Sequence, residues 1–209
     1  METAIAEMKR RGAVIVDPAD LPTHGKFDDS EFDAMLYEFK DGLNRYLAGR
    51  PGAQVRSLAA LIAFNEKNHA REMPYFGQEI LLQAEKKGPL TEKAYLDAVA
   101  KNRLMSRGQG IDAVLSQNKL HAIVAPAGGP AWLTDLVLGD HDIGGSSTPA
   151  AVAGYPNITV PAGFVRGLPV GISFFGAAWS ESLLIKLASG FEAAARARRK
   201  PEFLSTALV

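Results

Sequence analysis

Residues 144–176 read GGSSTPAAVAGYPNITVPAGFVRGLPVGISFFG, and this stretch indicates the fold class more directly than any other. It contains two short apolar runs, Ile158–Val160 and Val170–Phe175, that are typical of buried strands. Only the turn-rich residues 163–167 and a few neighbours separate them, which predicts an antiparallel pairing. The stretch therefore predicts part of a β-sheet.

The remainder of the chain adds two strands and several helices. The apolar run Ala13–Val16 follows a short helix and Gly12, and predicts a buried strand inside a parallel or mixed sheet. Residues 122–125 end at Pro126 and predict another short strand. Apolar residues at helical spacing predict helices over residues 4–11, 30–47, 58–69, 78–87, 91–105 with an extension towards 115, and 180–194. The predicted class is α/β.

Composition excludes several classes of protein. The 209 residues are enough for one large domain with its own core. Lys and Arg together number 23, as do Asp and Glu, so net charge does not favour a nucleic-acid partner. The chain has no Cys, which excludes thiol nucleophiles and disulfides. Since no leader or membrane-spanning run is apparent, we expect a soluble, cytoplasmic protein that does not bind membranes.

Familiar catalytic and cofactor motifs are not found. The four histidines show no metal-binding spacing, so no metal site is predicted. Gly108-Gln109-Gly110 lacks the third glycine and the preceding strand of a dinucleotide loop, so no nucleotide cofactor is predicted. Half of the twelve prolines lie between Pro126 and Pro169. This density indicates shaped loops at strand ends, where α/β proteins place ligands.

Ser146 and Ser147 are the serines that most resemble nucleophiles, because two glycines precede them. The next residues are Thr148 and Pro149, however, and Pro149 has no N–H to donate to an oxyanion. We interpret the serines as a loop that enters a short helix, with Thr148 as N-cap and Pro149 at the first helical position. No neighbouring base is evident that would activate either serine.

Six segments, in their order along the chain, resemble the C-terminal part of the amidase-signature family. These enzymes hydrolyse amides with a Ser-cis-Ser-Lys triad. The segments that carry the resemblance are residues 4–17, 37–47, 112–126, 153–156, 168–171 and 191–192. The resemblance implies a mixed β-sheet covered by helices on both faces. It also implies that residues 1–209 are the C-terminal portion of such a domain, with the catalytic N-terminal portion absent.

The resemblance implies hydrolysis of a carboxylic amide C–N bond through a serine acyl-enzyme, without metal or organic cofactor. In this chain no residue is assigned to the catalytic triad, because the family's further glycines and downstream acidic-Gly-Gly-Ser run have no match. The chain is expected to supply scaffold and substrate-pocket wall and to be inactive alone. The predicted substrate-binding residues are Pro126, Trp132, Ser146, Ser147 and Thr148.

Partner predictions follow from the same resemblance. A small-molecule amide is the expected ligand once the missing half completes the site. The alternative hypothesis is a non-catalytic pseudoenzyme, or an interaction subunit that pairs with another chain or forms a homodimer. Its predicted sign is an exposed apolar surface where the missing strands would pack.

Overall fold

The computed structural model describes residues 1–203. The chain divides into two compact units, Gly25–Asn102 and the remainder, which consists of Met1–His24 and the chain from Arg103 onward. None of the helices in the described residues is both long and apolar enough to cross a membrane. Each unit is built around its own buried side chains.

The unit formed by Met1–His24 and the chain from Arg103 onward consists of a three-stranded sheet and several helices. The strands are β1 (Ile123–Pro126), β2 (Asn157–Val165) and β3 (Leu168–Phe175), in the spatial order β1-β3-β2 with both pairings antiparallel. The helical elements are α1 (Glu2–Arg10), a π-helical segment (Leu104–Ile111), α7 (Asp112–Asn118), α8 (Thr148–Ala153) and α9 (Glu181–Ala195).

Helices cover both faces of this sheet. Alternate side chains of β3 point to opposite sides and pack against different helices. Ile172 and Phe174 are buried together with residues of α1 and α9, and the Phe174 and Phe191 rings lie 5.9 Å apart. Phe175 belongs to a second cluster with Ile123 and residues of the π-helical segment, α7 and α8. The α/β class and the covering of both faces are confirmed.

The hairpin between β2 and β3 is tighter than predicted. Only Arg166 and Gly167 separate the strands, and both have positive φ, at 49° and 82°. Two residues of this conformation form a hairpin turn whose twist matches that of antiparallel strands. The predicted antiparallel pairing of these two strands is therefore confirmed.

The predicted strand at Ala13–Val16 is wrong. These residues form no strand, and the side chain of Val14 is 91% exposed. Ile15 alone packs against the cluster of α1 and α9. An apolar run becomes a strand only where a neighbouring strand accepts its hydrogen bonds, and none of the described residues does so. The sheet formed by the described residues is consequently antiparallel rather than mixed.

The second unit is helical, as predicted for this half of the chain. It contains α2 (Asp28–Ala48), α3 (Leu58–Lys67), α4 (His69–Glu72), α5 (Glu79–Glu85) and α6, which runs from Lys93 to Arg103 at the boundary. Leu36, Leu58 and Ala84 form its buried centre. Lys40 is half-buried and donates hydrogen bonds to the Lys87 and Glu85 carbonyls.

Candidate functional site

The segment after β1 returns close to the residues that precede α8. The Ala127 N–H donates to the Gly171 carbonyl at 2.9 Å, which continues the β1–β3 pairing beyond the strand. The Ser146 N–H donates to the Ala127 carbonyl at 3.4 Å, and Gly128 forms an isolated antiparallel bridge with Gly145. These backbone contacts place both ends of loop 129–144 beside the end of β1.

Gly145 is required by the close approach of the two backbones. A Cβ atom at this position would lie 2.7 Å from the Ala127 carbonyl oxygen, closer than real Cβ contacts come. Across the loop, a Cβ atom at Gly129 would lie 2.4 Å from Cδ1 of Ile143. Gly129 and Gly145 therefore permit tight packing of backbone and side chain.

Loop 129–144 is ordered by its own polar side chains. The Asp135 carboxylate accepts hydrogen bonds from the Val137 and Leu138 N–H groups, at 2.8 and 2.9 Å. These two bonds, from Leu138 first and then Val137, hold the pKa of Asp135 below its ordinary value, and His141 Nε2 lies 3.7 Å from the same carboxylate. The Trp132 indole N–H donates to the Asp140 carboxylate at 3.3 Å.

A cleft of about 560 Å³ opens between this loop, β1 and the segment that follows α1. Its volume lies in the range of small-molecule sites. Most of its lining is apolar or glycine backbone, and the only ionisable side chains in that lining belong to Asp20 and His24. The other lining residues are Ala19, Leu21, Ile123, Val124, Ala125, Pro126, Gly128, Gly129, Ile143, Gly144, Gly145, Ser146, Pro149 and Phe175.

Ser146 places a buried hydroxyl in the lining of this cleft. Its Oγ atom is inaccessible to solvent and has no hydrogen-bond partner among the described residues. A buried hydroxyl without a partner costs free energy, so such groups are typically satisfied by a ligand, water or another chain segment. Among the described residues, no lysine or histidine forms a hydrogen bond with this atom.

The structure places two of the five predicted substrate-binding residues in the cleft lining, Pro126 and Ser146. Trp132 lies in loop 129–144, 43% exposed and outside the lining. Ser147 and Thr148 follow Ser146 but are not lining residues. Helix α8 begins at Thr148 with Ser147 at the N-cap position and no side-chain capping bond, so the predicted N-cap is displaced by one residue.

Most of the lining residues were not predicted as site residues, and Asp20, His24, Ile143 and Phe175 are among them. Asp20 and His24 lie about a hundred residues before the strand that they approach, and no local spacing relates them to it. Ile143 directly precedes the glycines of residues 144–176, and Phe175 lies within that stretch, so both are close in sequence to residues that were predicted.

Residues beyond the cleft hold α8 in place. The Arg107 Nε–H donates to the Ala153 carbonyl at the end of α8 at 2.7 Å, and the guanidinium lies 5.5 Å from the centre of the Tyr155 ring. The Tyr155 hydroxyl donates to the Asp112 carboxylate at 2.9 Å. Burial, followed by that hydrogen bond, raises the pKa of Tyr155. Among the described residues, no group of three His, Asp or Glu side chains is placed to bind a metal ion.

The family model of the amidases matches residues 1–185. The chain belongs to the amidase family. A probable amidase of Arabidopsis thaliana is 37% identical over 207 residues, which are 96% of this chain and 37% of that relative. The resemblance found in the six sequence segments is thereby confirmed.

Solved amidase structures agree with the fold. A peptide amidase in complex with the competitive inhibitor chymostatin is 46% identical, with a TM-score of 0.91 over 97% of this chain. Native peptide amidase from Stenotrophomonas maltophilia is 45% identical, with a TM-score of 0.88 over the same share. This chain spans 41% and 40% of the two structures, respectively. The chain thus spans well under half the length of these relatives.

Proposed function

We propose that residues 1–209 form the C-terminal portion of an amidase that hydrolyses a carboxamide C–N bond, and that they supply scaffold and one wall of its substrate cleft. The observation that carries this proposal is the 46% identity to a peptide amidase, with a TM-score of 0.91. The match extends over 97% of the chain and so includes the cleft-lining segments. A peptide amide is the substrate class that this likeness favours.

The catalytic step is assigned to residues outside this chain. The proposed serine attacks the amide carbonyl, a cis serine and a lysine move the proton to the leaving amine, and water hydrolyses the acyl-enzyme. Backbone N–H groups stabilise the oxyanion. Within residues 1–203, none of the hydrogen bonds joins a serine to a lysine, which supports a non-catalytic role for the chain by itself.

In this proposal the five predicted residues form part of the substrate-binding wall. Pro126 and Ser146 border the cleft directly. Trp132 lies in the loop that ends at the cleft, and Ser147 and Thr148 fix the direction in which the chain leaves it. We keep as predictions a cytoplasmic location and no membrane partner, and the balanced charge of the sequence supports the absence of a nucleic-acid partner.

Pairing with another chain, or with a second copy, is the second candidate. It is favoured by the apolar segment Ala13–Val16, which forms no strand although its residues have the composition of one. The outer edge of β1 also pairs with no strand of the described residues. Unpaired edges and exposed apolar runs are the surfaces through which β-proteins recruit further chain.

A chimera tests the main proposal. This chain would replace the matching 41% of the peptide amidase, and ammonia release from a peptide amide would be measured beside fluorophosphonate labelling. We expect the chimera to label and to release ammonia, and the chain alone to do neither. A folded chimera without turnover would contradict the amidase role. Labelling of Ser146 or Ser147 with turnover by the chain alone would contradict the assignment of catalysis elsewhere.

A further inference from the structure

One wall of the cleft is an irregular segment, residues 19–24, which contains both ionisable side chains of the lining, Asp20 and His24. None of these residues belongs to a helix or a strand. Since no ladder of backbone hydrogen bonds fixes the segment, its position depends on side-chain contacts. Ala19 and Leu21 provide apolar contacts with the buried cluster that α7, α8 and the sheet share.

Thr23 is the polar anchor of this segment. Its side chain is buried, and its hydroxyl donates to the Met105 carbonyl at 2.8 Å, 82 residues further along the chain. Among the hydrogen bonds of the described residues, it is the one that a side chain of residues 19–24 forms. Because Thr23 is buried, water does not readily replace this bond when it is lost.

The carbonyl that accepts this bond lies in an irregular helix. Met105 belongs to the π-helical segment, whose backbone leaves the helical conformation at Gly110, with φ −109° and ψ −106°. A Cβ atom at Gly110 would lie 2.5 Å from the Met105 carbonyl oxygen and 3.2 Å from the Thr23 hydroxyl oxygen. The glycine therefore permits the bond, because a side chain at residue 110 would displace the carbonyl or the hydroxyl.

We infer that Thr23 is a positioning residue for substrate binding: its hydrogen bond to Met105, permitted by Gly110, holds the cleft wall that carries Asp20 and His24. This inference rests on the proposed amidase function, because it assigns the cleft to the substrate. Without the bond the wall populates other positions, and only molecules with the wall in place bind substrate. The apparent affinity falls with that fraction, whereas the chemistry of bound substrate is unchanged.

Hydrogen exchange of the 209-residue chain tests whether Thr23 holds the wall. The His24 N–H donates to the Leu21 carbonyl at 3.1 Å, so its exchange rate reports order in the segment. Thr23→Val removes the hydroxyl and keeps the shape, and should speed exchange at His24 by about 3- to 10-fold. Thr23→Ser retains a hydroxyl and should exchange like the parent. The Phe174 amide in β3 should exchange alike in all three proteins.

Kinetics of the chimera test whether the held wall serves the substrate. Thr23→Val should raise KM for a peptide amide by about 3- to 10-fold and leave kcat within about twofold, and Thr23→Ser should restore KM. Thr159→Val is the matched control. It removes a hydroxyl contact of the same 2.8 Å length, with Ser173, outside the cleft lining, and should leave KM unchanged.

A variant of the π-helical segment tests the same contact from its other side. Gly110→Ala should raise KM as Thr23→Val does, because its methyl group meets the Met105 carbonyl. The double variant should show no further rise, since both substitutions break one contact. Effects that multiply would overturn the inference. If Gly110→Ala does not fold, the comparison of Thr23→Val with Thr23→Ser decides.

Three results with the Thr23 variants would also overturn the inference: unchanged exchange at His24 in Thr23→Val, unchanged KM in Thr23→Val, or an equal rise of KM in Thr159→Val. An active chimera whose KM is insensitive to Thr23 would leave the proposed function intact. A parent chimera without turnover would refute the proposed function instead. The anchoring of the wall would then still stand if exchange at His24 rises in Thr23→Val and recovers in Thr23→Ser.

Discussion

The side chains of Arg107, Tyr155 and Asp112 support the helix that leads away from the cleft. Arg107 satisfies the Ala153 carbonyl at the C-terminus of α8, where helical carbonyls have no partner within the helix. Tyr155 is fixed between the guanidinium and the Asp112 carboxylate. Helix α8 begins two residues after Ser146, so these contacts support the helix that follows this cleft-lining residue.

Because of Tyr155, the free energy of unfolding should fall at alkaline pH. Its pKa is raised above 10.0 by burial and by Asp112, with Arg107 opposing. The native state therefore keeps this proton after the unfolded chain has lost it. Stability is complete below about pH 10 and is lost as the pH rises through the raised pKa. Tyr155→Phe should show a smaller loss of unfolding free energy between about pH 9 and pH 11.

Urea unfolding at each pH measures this difference. At about pH 8, Tyr155→Phe should be less stable than the parent by about 1–2 kcal/mol, because the Asp112 carboxylate loses a hydrogen bond. Tyr155→Phe should still lose some unfolding free energy at alkaline pH, since the hydrogen bond to Glu92 raises the pKa of Tyr37 as well. Tyr46→Phe replaces an exposed tyrosine and is the control. It should lose as much unfolding free energy at alkaline pH as the parent. An identical loss in Tyr155→Phe and the parent would contradict the prediction.

The β2–β3 hairpin is the element that local sequence specifies best. Its strands are close in the chain, and Gly167 supplies a residue that adopts positive φ without strain. Arg166 adopts the same region although its side chain disfavours it. Local sequence therefore explains the turn, except for one residue held in place by the pairing on either side.

Replacement of that residue should stabilise the hairpin. Arg166→Asn introduces a side chain that tolerates the left-handed region, and we expect a gain of about 0.5–1 kcal/mol in unfolding free energy. Gly167→Ala should have the opposite effect, with a loss of about 1 kcal/mol, because its φ is 82°. Thermal and urea unfolding of both variants measure the two signs. A loss in Arg166→Asn would show that the arginine contributes a contact that outweighs its strain.

In helix α2 the apolar stripe contains more residues than are buried. Phe32, Leu36 and Phe39 recur at helical spacing and lie on one side of this helix. Leu36 is buried, whereas Phe32 and Phe39 are exposed. Periodicity identifies the apolar face of a helix but not what covers it. The covering is a property of the tertiary structure.

The whole chain exposes much apolar surface. Exposed large apolar side chains include Val14, Leu133, Val137 and Leu138. Exposed apolar side chains are expected of a chain that packs against further protein. They support the proposed place of residues 1–209 in a longer amidase.

Substitution of Val14 tests whether residues 1–209 pack against further protein in a longer amidase. Val14→Asp alters a fully exposed side chain in the chain alone, so we expect its unfolding free energy to change by less than about 0.5 kcal/mol. In the chimera the same substitution would bury a carboxylate and should cost more than about 2 kcal/mol. Denaturant unfolding of both proteins measures the contrast. Equal, small effects would mean that no part of the amidase covers Val14.

The sequence by itself determined the amidase resemblance, the α/β class, the antiparallel hairpin and the helical half of the chain. Of the residues predicted from the sequence to bind substrate, the structure places Pro126 and Ser146 in the cleft lining. These properties depend on residues near one another in the chain, where turn chemistry and apolar periodicity act.

Only the tertiary structure decided that Asp20, His24 and Phe175 line one cleft with Ser146, and that Ala13–Val16 forms no strand. Each of these outcomes depends on which distant segments meet. A strand exists only with a partner for its hydrogen bonds, and a cleft exists only where segments far apart in sequence leave a gap between them. Local pattern contains neither kind of information.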